Sequence, residues 1–231
     1  MAFDSNEEDK LFKEIQDKGD YNYFVRDGVV NRTEYLKSKP KILFILRESY
    51  GTDDSQPEEI VKLREFFATG GLNKKSPQTE SGITRTVEQI DAASKGKLLS
   101  YDETMHVDNE RRKKALNKVA IFNLNKESNH INNQTNWTLL KKETKSNCDI
   151  YKKLFDLYEP DIIVCGGTYG LFQTIYPELE DTPTKDNRYY SWTTVNNKKT
   201  LVLNCNHPSD RNSHEYYDRL NGILSKVYIE D

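Results

Sequence analysis

The sequence predicts an α/β protein, a three-layer α/β/α sandwich with a central four-stranded mainly parallel sheet. Three observations predict it. Four short runs, 42–46, 119–124, 161–167 and 201–205, are predominantly apolar without alternation, as strands buried on both faces are. Segments with helical character separate these runs, the pattern that a parallel sheet covered by helices requires. No internal repeat and no linker rich in Gly, Ser or Pro divides the 231 residues, so one domain over 1–231 is expected, with residues 1–40 as an N-terminal helical extension.

The elements follow in order. Phe3, Leu11, Phe12 and Ile15 fall among charges in residues 3–18 and predict a short helix packed on the body. Residues 21–40 read as turns and a short helix leading to Pro40, and the first strand follows at 42–46. The run QPEEIVKLREFFATGG (56–71) predicts a helix, with Pro57 at its start, acids in its first turn and Gly70-Gly71 closing it. Residues 73–80 read as a polar, mobile loop, 81–99 as a helical region, and 109–118 as a basic helix running into the second strand.

After the polar loop 125–136, one long helix is expected over 137–158, with Leu139, Leu140, Ile150, Leu154, Phe155 and Leu157 on its apolar side. The third strand leads directly into a helix from Tyr169 to Tyr176. Asn196-Asn197 predicts a hairpin turn whose second arm is the last core strand, and a final helix runs from His214 to Tyr228.

Composition narrows the function classes. At 35% hydrophobic and 31% charged, the chain can bury a core and keep a solvated surface. No window approaches 18 consecutive apolar residues, so no transmembrane helix is expected. The acidic, amphipathic start lacks a secretory pattern. A soluble, intracellular, cytoplasmic protein with no membrane partner is the expectation. Cys148, Cys165 and Cys205 lack Cys-x-x-Cys spacing and read as reduced thiols rather than a disulfide framework, zinc site or iron–sulfur cluster. Net charge is −3, and residues 1–20, with seven acids against three lysines, hold −4 of it. The other 211 residues therefore carry about +1, which permits a local basic groove without requiring one.

In open parallel sheets, ligands bind outside the carboxyl ends of the strands. That rule selects four loops: RESYG after the first strand, NKESNH after the second, GGTYG after the third and NHPSDRNS after the fourth. GGTYG lacks both a Walker lysine and the dinucleotide glycine spacing, so a tight strand-to-helix turn explains it better than a phosphate loop.

With these segments in order, the chain resembles the uracil-DNA glycosylase superfamily. HPSDRN (207–212) is similar to the His-Pro-Ser-Pro-Arg-Asn motif of its iron–sulfur branch, with Asp210 in place of the second proline. RESYG lines up with that branch's Gly-Glu-Ala-Pro-Gly, keeping Glu48 and Gly51. VAIFN resembles the second-strand segment whose terminal Asn reads the uracil edge, and PDIIVCGG resembles the third-strand signature. The correspondence spans roughly residues 40–225. The cluster cysteines have no counterparts, so no cluster, metal or other cofactor is expected.

The resemblance implies an N-glycosylase acting on uracil or another altered base flipped from DNA. Glu48 would stabilise the sugar cation and position water, and His207 would hold the leaving base. Asn123 and Tyr50 would contact the base, Tyr50 standing where the family has proline. Arg47, Ser49, Ser209, Arg211 and Asn212 would meet the nucleic acid, Arg47 replacing a glycine. The plainer readings stay open beside these. Arg47-Glu48 can be a surface ion pair, His207-Pro208 an ordinary turn, and Asn123 a residue that bonds loop backbone. A non-catalytic nucleic-acid or nucleotide-binding protein keeping the same cleft is the alternative function.

Overall fold

The structure, a computed structural model, describes residues 4–49, 60–71, 78–128, 134–179, 182–183, 189–210 and 213–230. The elements, in chain order, begin with α1 (Ser5–Lys18), β1 (Phe24–Arg26), β2 (Gly28–Val29), α2 (Arg32–Lys37) and β3 (Ile42–Leu46). Next come β4 (Ile60–Lys62), α3 (Leu63–Ala68), α4 (Gln78–Ala93), α5 (Tyr101–Thr104), α6 (Asn109–Leu116) and β5 (Val119–Asn123). The chain continues through α7 (Trp137–Ser146), α8 (Cys148–Tyr158), β6 (Ile162–Gly166) and α9 (Tyr169–Ile175). It closes with β7 (Thr182–Pro183), β8 (Tyr189–Val195), β9 (Lys198–Cys205) and α10 (Ser213–Tyr228).

The four apolar runs form the parallel centre of the sheet, in the order β5-β3-β6-β9. Among the described residues the sheet has seven strands rather than the four expected, because β2 adds antiparallel to β5, β8 adds antiparallel to β9 on the other side, and β7 adds antiparallel to β8. β2 and β7 are two residues each, too short to leave a periodic trace in sequence. The hairpin between β8 and β9 turns on Asn196 and Asn197, both with positive φ, which matches the right-handed twist of the arms.

Alternation along the central strands feeds two separate cores. Leu43, Ile45, Ala120, Phe122, Ile163, Cys165 and Val202 pack with residues of α1, α8 and α9. Ile42, Phe44, Leu46, Ile121, Val164 and Leu203 point the other way, onto α3, α4, α6 and α10. Consecutive apolar residues are needed because neither face meets water.

Three expectations need correcting. Residues 60–62 are not the start of a helix but a strand paired parallel with β1, and α3 begins only at Leu63. Pairing with Phe24–Arg26 overrides the local helical pattern, since strand preference depends on neighbours across the sheet; residues 56–59 lie outside the described residues. The long helix over 137–158 is two helices broken at Asn147, which is buried with φ −107° and ψ 10°. Its side-chain amide donates to Glu143 Oε1 at 2.9 Å, and its carbonyl accepts from Tyr151 N–H, so one residue ends α7 and begins α8. The N-terminal segment expected as helical carries β1 and β2 between α1 and α2.

Phe122 lies centrally in the first core, with ring centroids of Tyr151 and Phe155 at 4.9 and 5.1 Å. Replacing it (Phe122→Ala) is expected to cost about 3–5 kcal/mol of stability in urea unfolding; a cost below about 1 kcal/mol would contradict this packing.

Candidate functional site

β3, β5, β6 and β9 run in register, with Leu46 opposite Asn123, Ile45 opposite Cys165 and Gly166 opposite Cys205. The four strands therefore end together, and the loops after them share one edge. There Glu48, Asn123 and His207 line a single cavity of about 70 Å³ with Ser49. Leu46 and Leu63, Phe66 and Phe67 of α3 form its apolar wall, and Thr79 and Glu80 of α4 complete it.

The histidine loop is seated by two close backbone approaches. A Cβ at Gly82 of α4 would stand 1.9 Å from the carbonyl oxygen of Pro208, and one at Gly166 would stand 2.9 Å from Pro208 Cδ. Pro208 is thus buried between a helix and a strand end. Asp210 N–H donates to the His207 carbonyl at 2.8 Å, and Asn206 Nδ2 donates to Asp210 Oδ2 at 2.8 Å. Arg219 of α10 donates to Asn206 Oδ1.

This seat sets the state of the ring. Ser209 N–H donates to His207 Nδ1 at 3.2 Å, and the Ser209 hydroxyl lies 2.8 Å from the same nitrogen. A nitrogen that accepts from a backbone N–H carries no proton, so in the neutral ring Nε2 is the donor. Burial lowers the His207 pKa to about 4, reinforced by the Arg47 charge and opposed by Asp210. The ring is a neutral donor at ordinary pH. Ser209, expected at the nucleic acid, is turned to this histidine.

Asn123, the last residue of β5, is held as firmly. Its backbone N–H donates to Asp27 Oδ2 at 2.7 Å and its side-chain amide to the same oxygen at 3.1 Å. A carboxylate only accepts, so the NH₂ side of Asn123 must face it, which fixes the amide's orientation. Asp27 Oδ1 takes a third donor, Lys126 Nζ, at 2.7 Å. Both partners of that ion pair are fully buried, and Lys126 Nζ also sits 3.4 Å from the centroid of the Phe122 ring. Burial lowers the Lys126 pKa to about 8, with Asp27 opposing the shift.

Glu48 is 6% exposed, which separates it from an ordinary surface ion pair. Arg47 is half-buried and reaches the other way, its Cζ 5.9 Å from the centroid of the Trp137 ring, and its Nε is buried without a hydrogen bond. Ser49 Oγ donates to Ser128 Oγ at 3.3 Å, joining the first and second loops. Tyr50, Arg211 and Asn212 lie outside the described residues.

Sequence reasoning missed Asp27, Lys126 and Glu80. Asp27 and Lys126 sit in segments without period, and Glu80 falls in the stretch read as a loop; nothing local marks any of them. Cys148, Cys165 and Cys205 are free thiols, and burial pushes those of Cys165 and Cys205 up, away from reactivity. Among the described residues no three His, Cys, Asp or Glu side chains group to hold a metal ion, and no helix is long and apolar enough to cross a membrane. A wider groove of about 660 Å³ lies among α4, α5 and α6, but Lys118 and Ala115 place it at the amino end of β5, away from these loops. No protein-family model and no curated protein matches the chain.

Two outcomes follow from the histidine's seat. In NMR, His207 is expected to stay neutral down to about pH 5 and to titrate only near pH 4. Its folded pKa lies below the unfolded value of 6.5, so its contribution to stability is intact above pH 6.5 and is lost as pH falls toward 4. A ring titrating at 6.5 would contradict the buried seat. Gly82→Ala must displace the Pro208 backbone; it is expected to cost about 1–3 kcal/mol in urea unfolding and to move the His207 titration back toward 6.5. An unchanged titration would mean that Gly82 does not hold the loop.

Proposed function

We propose that this chain is a DNA glycosylase, a divergent member of the uracil-DNA glycosylase superfamily without an iron–sulfur cluster. In this reading the fold is a three-layer α/β/α sandwich around the four parallel strands. The observation that carries it is the meeting of Glu48 and His207, from two separate loops, with Asn123, the last residue of β5, on one small cavity at the carboxyl edge of the sheet.

The chemistry assigns each group a task. The bond from the sugar C1′ to the base nitrogen breaks with its electron pair leaving on the base, so positive charge grows on the sugar and negative charge on the base. The Glu48 carboxylate stabilises the sugar cation, orients a water toward C1′ and takes its proton. His207, neutral and donating through Nε2, bonds a carbonyl oxygen of the departing base and stabilises the anion. Asn123, locked by Asp27, offers its carbonyl oxygen and second N–H to the edge of a base turned out of the stack. Leu46, Phe66 and Phe67 exclude water around these polar groups.

A second reading is a nucleic-acid or nucleotide binder that keeps the cleft without catalysis. The cavity's 70 Å³ is small beside usual small-molecule sites, which offer about 300–1,000 Å³, and this favours a nucleic-acid binder that inserts no base. Abasic-site formation on oligonucleotides carrying uracil or other altered bases separates the two. Glu48→Gln is expected to slow base release by about 10²–10⁴-fold and His207→Ala by about 10²–10³-fold, with both variants still folded. No release by the wild type would leave the binding reading, and equal release by all three proteins would remove Glu48 and His207 from the chemistry.

A further inference from the structure

The outward face of α7 has an unusual make-up for a surface helix. α7 buries only Leu140 and Thr144. Its one acid, Glu143, is turned inward, bonded by the Tyr21 hydroxyl and by Asn147 Nδ2. Trp137, Leu139, Lys141, Lys142 and Lys145 are left outside. Trp137 is 47% and Leu139 41% exposed, and among the described residues few other large apolar side chains are as open. None of the three lysines forms a salt bridge among the described residues, Lys142 acting on Glu143 only at longer range. On α1, by contrast, Lys10, Lys13 and Lys18 each pair with an acid of the same helix.

This face adjoins the cleft through Arg47, whose guanidinium lies against Trp137 in the first turn of α7. Arg47 bridges the two: it precedes Glu48, its charge acts on His207, and its guanidinium lies against the Trp137 ring. Trp137, Lys141 and Lys145 recur every fourth residue, so they form one row on the helix, about 12 Å long. Over that length a stacked strand presents about three phosphates.

We propose that this face is a single-stranded nucleic-acid ledge leading into the cleft, with an unpaired base stacked on Trp137 and the backbone tracked by Arg47, Lys141, Lys142 and Lys145. An exposed indole beside a row of cations matches what unpaired strands offer, flat base faces alternating with negative charge. A duplex keeps its base faces stacked on one another and presents only phosphates and edges. The ledge rests on the glycosylase reading only in that the strand continues into the same cavity.

Trp192→Phe leaves Trp137 as the sole tryptophan. Titrating that protein with a single-stranded oligothymidylate should quench Trp137 fluorescence, and the matching duplex should quench it far less. Measured with a labelled oligonucleotide, Trp137→Ala should weaken binding about tenfold, and Trp137→Phe should restore most of it. Reversing Lys141, Lys142 and Lys145 to Glu should lower the slope of log affinity against log salt by about 2, at about 0.7 per single-strand phosphate contact.

Binding that leaves the fluorescence unchanged and ignores these variants overturns the ledge, as does no oligonucleotide binding at all. Equal quenching by polyglutamate or by anionic phosphatidylserine vesicles also overturns it, in favour of an acidic protein or a membrane surface. The two proposals fail separately: base release indifferent to Trp137 and the lysines sinks the ledge alone, whereas Trp137-dependent strand binding without base release sinks the glycosylase alone.

Discussion

The Asp27 carboxylate organises the molecule around it. It accepts from Lys126 Nζ and from both the backbone and side-chain amides of Asn123, all out of water. A buried charge without partners costs several kcal/mol, so these groups are tolerable only together. Their mutual dependence ties the segment between β1 and β2 to the end of β5. It also leaves Asn123 one orientation. A second buried network lies next to it: Arg64 forks onto both Glu8 oxygens at 2.9 and 2.7 Å, Tyr158 donates to Glu8, and Arg64 Nε reaches the Asp27 carbonyl. The N-terminal helix is thereby fastened to α3 and α8 by charge as well as by Leu11, Phe12 and Ile15.

The cleft inherits its rigidity from these supports. Asn123 is fixed from behind by a carboxylate, and His207 by the Ser209 N–H and by Pro208 set against Gly82 and Gly166. Neither group has to be ordered when a ligand arrives, and preorganised donors in a water-poor site stabilise developing charge at little reorganisation cost. Burial works in the same direction on the histidine, which stays neutral and keeps Nε2–H as its donor. Arg47 stands between this interior and the exposed α7 face, next to Glu48 in the chain and against the Trp137 ring.

Much of this was legible in the sequence. Runs such as ILFIL and VAIFN announce strands buried on both faces, and the carboxyl-edge rule selects the four loops that follow them, because strand ends follow directly from where apolar runs stop; Glu48, Asn123 and His207 are singled out there by the family resemblance. Asn196-Asn197 marks its hairpin through local backbone preference. Other features left no such trace. The β1–β4 pairing hides inside a pattern that reads as a helix, and the break at Asn147 depends on a bond to Glu143 within an otherwise helical stretch. Glu80 enters the cavity because α4 begins earlier than its polar sequence suggests.

By itself, then, the sequence determined which segments form the four central parallel strands and which loops stand at their carboxyl edge, since hydrophobic period and turn chemistry are local properties. Only the tertiary structure decided that Asp27 would orient Asn123, that Ser209 would bond His207, and that Trp137 would meet Arg47. These are contacts between groups brought together by packing and by the need to pair buried charge. No local pattern encodes them, because each partner looks ordinary until the other is beside it.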